Sequence, residues 1–175
     1  MTAPNLHSEA ANDAASWLFP AALPRQLRAS FCLWLVAVAA GVFETTLVVI
    51  DATAGEVSSA AEVAVGGTVR LLAFTGLLYL AARLRQGRNW ARIALAVLYG
   101  GFGTLSLVIG PVTWLAEGGS LADAMAAADW GSLLFATIRL VHLAAIIAGL
   151  ILMFHPATNA YIQETRQTRA KGNRA

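Results

Sequence analysis

RLRQGRNWAR, residues 83–92, carries four arginines and no acid, and it lies between two long apolar stretches. Short loops rich in Lys and Arg stay on the cytoplasmic side of a membrane. This stretch therefore sets an orientation for its neighbours. Outward from it, positive charge clusters in two further places: Arg25 and Arg28 before the first apolar stretch, and Arg166, Arg169, Lys171 and Arg174 after the last. These three clusters hold ten of the 12 Lys and Arg residues. The segments between stretches one and two and between three and four carry Asp51, Glu56 and Glu62, then Glu117, Asp123 and Asp129, without a single Lys or Arg. The alternation predicts four membrane crossings with both termini in the cytoplasm.

Composition agrees. Of the 175 residues, 58% are hydrophobic and 13% charged, and the mean hydropathy is +0.64. An average soluble chain has about 25% charged residues. The net charge of +2 is spread over loop anchors rather than a patch interleaved with aromatics, so no nucleic-acid partner is expected. The lone Cys32 sits in an apolar run, which excludes an internal disulfide and CxxC metal sites and reads as a structural cysteine at lipid depth. Residues 1–24 show no apolar core followed by a cleavage site. They read as a loose cytoplasmic tail, within which the segment around Trp17 suits either a membrane surface or disorder.

The expected fold is all-α, an up-down-up-down four-helix transmembrane bundle with N-in and C-in topology. A cytoplasmic tail covers 1–26, the transmembrane domain 27–154 and a basic cytoplasmic tail 155–175. The spans are read as 27–50, 63–84, 90–109 and 130–154, each long enough for the hydrocarbon core at 1.5 Å per residue. Pro111 is expected to end the third span and Pro156 to stop the fourth. Trp90, Trp114 and Trp130 fall at span ends, where indoles collect. SLADAMAAADW, residues 120–130, reads as a short helix capped by Ser120.

Four ionisable residues break the pattern by lying within spans: Glu44, Arg70, Arg139 and His142. An Arg or acid at helix centre costs roughly 2.5 to 3.5 kcal/mol on insertion. By helical rise, Glu44 lies about 9 Å from its helix end, Arg70 about 10 to 12 Å and Arg139 about 13 Å, with His142 one turn deeper. All four fall in the outer half of the bilayer although they come from three helices. They share faces with small residues, including Gly41, Gly66 and Gly149, and span three adds Gly100 and Gly103 at similar depth; such faces let membrane helices approach closely.

Two readings follow. In the first, Glu44 pairs with Arg70 or Arg139 and fixes helix register, and the protein is a non-enzymatic accessory or assembly subunit within a membrane complex or homo-oligomer. In the second, one carboxylate cannot neutralise two guanidinium groups. The cluster then holds an anionic group such as a lipid phosphate or a carboxylate, with His142 as a titratable neighbour, in a small transporter or a ligand-binding protein. No cofactor is expected, since a haem or quinone site favours paired inward His residues. No metal is expected either, because His7 and His155 have no partner ligands. Arg83, Arg85, Arg88 and Arg92 are expected to contact anionic lipid headgroups on the cytoplasmic face.

Two segments carry a family resemblance. GRNWARIALAVL, residues 87–98, and FHPATNAYI, residues 154–162, resemble the start of the third helix and the ending after the last helix in small four-helix integral membrane proteins common in actinobacteria. The resemblance implies a protein of the bacterial plasma membrane and carries no activity with it. Within these segments Asn89 is placed to cap the third helix, and Asn159 and Tyr161 to anchor the tail.

Overall fold

The computed structural model describes residues 23–54 and 60–172; the segment around Trp17 lies outside them. All regular structure among the described residues is helical: α1 (Arg25–Ala54), α2 (Ala60–Arg85), α3 (Asn89–Ala116), α4 (Leu121–Ala126), α5 (Trp130–Met153) and α6 (Pro156–Gly172). Four helices are long and apolar enough to cross a membrane: Arg25–Ile50, Ala61–Arg85, Asn89–Ala116 and Trp130–Met153.

Three boundaries differ from expectation, each for a local reason. Pro111 does not end the third span; α3 continues through it to Ala116. Proline removes only its own N–H and the hydrogen bond to the carbonyl four residues back, and that carbonyl finds another donor, described below. Pro156 follows the end of α5 but also opens α6. It occupies the first helical position, where a missing N–H costs nothing, and the ring Nδ1 of His155 accepts from the Ala157 N–H at 3.2 Å. Asn89 is not a cap. Gly87 turns the chain with φ +70°, so the extended residue before α3 is Arg88, which makes no side-chain capping bond. At the other helix ends the caps follow pattern. The Ser120 hydroxyl accepts from the Asp123 N–H at 3.3 Å and the Asp129 carboxylate from the Ser132 N–H at 2.8 Å. The hydroxyl of Ser132 donates to the same carboxylate. These bonds hold the Asp129 carboxyl below its ordinary pKa.

The core occupies one part of every long helix. Leu27, Phe31, Trp34 and Ala37 of α1 join Leu77, Leu80, Ala81 and Leu84 of α2, Ala91 and Leu95 of α3, and Ala145, Ile146 and Met153 of α5 in one buried cluster. The alanines let backbones approach, and Leu27, Trp34, Leu84, Leu95 and Met153 fill the space between them with no exposed surface. Ser30, also fully buried, donates to the Gly149 carbonyl at 2.8 Å and ties α1 to α5. Helix α6 closes this end. Tyr161 donates to the Arg85 carbonyl at 3.1 Å, Asn159 accepts from Arg92, and Ile162 joins the cluster. Asn159 and Tyr161 thus anchor the tail to the 83–92 turn itself.

Beyond this cluster the helices part. From Ala96 to Ala116 no residue of α3 is buried. Helix α2 packs on α3 through Asn89–Leu95, and past Leu95 the two make only scattered contact. Residues 96–103 of α3, AVLYGGFG, form a π-helical stretch, the wide-turned geometry that recurs at functional sites. Here Gly100 takes Leu150 of α5 so closely that a Cβ would lie 2.8 Å from its side chain.

Candidate functional site

The parted helices enclose a cleft of about 300 Å³ whose lining includes Glu44, Arg70, Arg139 and His142. One face of each long helix meets there: Ala37, Gly41, Glu44 and Val48 from α1, Arg70 and Ala73 from α2, Gly103 from α3, and Arg139, His142 and Ile146 from α5. Ser132 and Ala136, earlier on α5 than Arg139, are exposed outside it.

Pairing inside the cleft differs from expectation. Glu44, only 8% exposed, pairs with neither arginine. Its Oε1 lies 3.0 Å from Nδ1 of His142. The reason is access: Gly41, one turn before Glu44, has no side chain, so the imidazole edge lies 3.1 Å from where a Cβ would stand. Helices α1 and α5 are also the most closely packed pair of the bundle. A glycine on α1 thus admits the ring of α5 to the carboxylate.

Arg139 has a different partner. Its Nε and Nη2 both donate to the carbonyl of Leu107, at 3.1 and 2.8 Å. Leu107 is four residues before Pro111, and its carbonyl is the acceptor that proline leaves without a backbone donor. In a medium without water such an orphan must be satisfied by protein, and the guanidinium of α5 does so. Its carbon also lies 5.6 Å from the centre of the Phe135 ring. Pro111 and Arg139 are therefore two halves of one feature, and this explains why α3 passes through its proline.

Arg70 is almost unengaged. It is exposed, and among the described residues its one hydrogen bond runs back to the Gly66 carbonyl at 3.4 Å, beyond the usual 2.7 to 3.2 Å. Among the described residues neither Arg70 nor Arg139 has a carboxylate partner. Arg70 also lines a smaller recess of about 150 Å³ against α1, with Glu62 and Gly66.

Several lining residues were not singled out from sequence. Tyr99 donates from the π-helical stretch to the Ala73 carbonyl at 2.6 Å and bridges α3 to α2 at the floor of the cleft. Its hydroxyl fits because Gly76 lies beneath it, where a Cβ would come within 2.9 Å. Phe74 and Phe135 supply apolar walls, and Thr45 and Ser106 add hydroxyls. Of these only the Leu107 carbonyl had a readable signal, since Pro111 orphans the carbonyl four residues before it.

The basic turn divides. Arg85 and Arg92 lie over the Phe31 and Phe154 rings, each 4.8 Å from the ring centre. Arg83 lies 5.0 Å from the Tyr79 ring centre and donates to Gln86, and Arg88 is exposed. Cys32 is exposed on the outside of α1. Among the described residues, no three His, Cys, Asp or Glu side chains group as a metal site.

Compared with known families, curated proteins and solved structures, the chain matches none.

Proposed function

We propose that this chain is a multi-pass protein of the bacterial plasma membrane that binds an anionic ligand in the cleft between its helices. Charge sorting along the sequence supports an up-down-up-down bundle with both termini cytoplasmic, which puts the cleft in the outer half of the bilayer. One observation carries the ligand reading. Among the described residues, two arginines line the cleft without a carboxylate partner, while the cleft's own carboxylate, Glu44, is taken by His142. A purely structural cluster would place Glu44 against a guanidinium, because an unmatched buried charge is expensive. A cleft kept electropositive suits a carboxylate or phosphate, which guanidinium groups bind in bidentate fashion.

Uptake across the bilayer, or presentation of the ligand to a partner within a membrane complex, are both compatible uses of such a site. Thermal unfolding of the detergent-solubilised protein tests the binding itself. Anionic ligands should raise the melting temperature of the wild type and not of Arg70→Gln. If Arg70→Gln and Arg139→Gln lower only the yield of folded protein and alter no ligand response, the cluster is structural and the accessory-subunit reading replaces this one.

A further inference from the structure

We infer that the ligand is a membrane amphiphile with a phosphate-type headgroup, and that it reaches the cleft sideways, between α2 and α3. The inference rests on the anion-site reading above and adds the ligand class and the route.

The route is open because of how α2 and α3 part. They are packed through Asn89–Leu95, and Tyr99 ties them once more at Ala73. Past that bond α3 offers the cleft two small residues, Gly103 and Ser106, and α2 offers Arg70. A Cβ on Gly103 would make only ordinary contacts at 3.7 and 3.8 Å. This glycine therefore leaves space and does not serve close packing. A solute arriving through water has no use for a side opening, since the flanks are apolar. Val69, Leu72, Phe102 and Leu105, sequence neighbours of the lining residues, are all more than half exposed. An acyl chain lying among them is in its own solvent.

The interior is split to match. Arg70 and Arg139 face a ligand from α2 and α5, and Val48, Phe74, Phe135 and Ile146 supply apolar surface beside them. A headgroup oxyanion takes the nearly free guanidinium of Arg70 and the Nη1 of Arg139, the one nitrogen of that group not bonded to Leu107. Its tail leaves through the gap between α2 and α3. A two-ended ligand explains both the polar floor and the apolar side exit, which a free anion does not.

The test uses the full chain in nanodiscs of phosphatidylcholine, with three probes: oleoyl lysophosphatidate, oleoyl lysophosphatidylcholine and inorganic phosphate. Lysophosphatidate should raise the melting temperature and the other two should not. Gly103→Leu narrows the opening from a position that accepts a side chain, so it should melt like the wild type without ligand yet bind lysophosphatidate at least about tenfold more weakly. Arg70→Gln should lose at least about tenfold as well, the loss expected of a charge-assisted hydrogen bond. Equal stabilisation by inorganic phosphate, unaffected by Gly103→Leu, would overturn the lipid and its route and leave the anion site standing. Equal binding of both lysolipids, or no response to any probe, would overturn the anion site too.

Discussion

The two ends of the bundle are built from the same four helices and solve opposite problems. Around Leu27–Ala37, Leu77–Leu84, Ala91–Leu95 and Ala145–Met153, small residues bring helices together and large ones fill what remains. Around Glu44, Arg70, Gly103 and Arg139, small residues instead leave a gap, and charged groups border it. Without a hydrophobic drive between helices in lipid, association depends on close fit and interhelical hydrogen bonds. At the first end all four helices have that fit, whereas at the second α1 and α5 stay joined through Glu44 and His142 and α2 parts from α3. The second is free to part, and its charges have room to meet something from outside.

Substitutions should separate the two ends by size of effect. Trp34→Ala, in the closed end, should cost about 3 to 5 kcal/mol, read as the largest fall in melting temperature of any single change. An equal fall from Ser106→Ala in the cleft would break the contrast. Gly87→Ala should follow at about 1 to 2 kcal/mol, the cost of an L side chain in the left-handed region. Its Cβ would also lie 3.0 Å from the Thr165 side chain, so protease sensitivity should rise first in α6.

In the open end the informative experiment is a double-mutant cycle. Pro111→Ala returns an N–H to the Leu107 carbonyl and makes the two hydrogen bonds from Arg139 redundant. Arg139→Gln should therefore cost about 1 kcal/mol less in the Pro111→Ala background than in the wild type. Additive costs would show that the guanidinium does not serve the carbonyl. The smallest effect concerns Asp129, at the start of α5. Its carboxyl is held below the ordinary value, first by the Ser132 hydroxyl and then by the Ser132 N–H. A lowered folded-state pKa gives stability that is present above the ordinary carboxylate value and lost as pH falls through the folded one. Asp129→Asn should flatten that acid limb slightly and leave neutral-pH unfolding nearly unchanged.

Much of this architecture is legible in the sequence because hydropathy and helical rise are one-dimensional. They place the span ends close to the helix ends except at the outer end of the third, read at 109 where the helix runs to Ala116, and they put Glu44, Arg70, Arg139 and His142 at one depth. Which partner each side chain takes depends on rotation about the helix axis and on neighbours from other helices, and rise says nothing of these. Glu44 therefore read as an arginine partner, although the open face of Gly41 gives it to His142. Pro111 read as a stop because its own helix cannot replace the lost bond, and the replacement comes from another helix more than twenty residues on. Pro156 read only as a stop for the complementary reason: the residue that ends one helix is well suited to begin the next.

Native mass spectrometry of protein extracted from membranes in mild detergent tests most directly whether the cleft arginines, without a carboxylate partner among the described residues, hold an anionic ligand. Arg70 is the residue to change, since it is exposed and its one hydrogen bond among the described residues is long, so Arg70→Gln should fold. The wild type should carry a bound anionic species that Arg70→Gln loses. If both carry the same bound species, or neither carries an anion, the cleft is not an anion site.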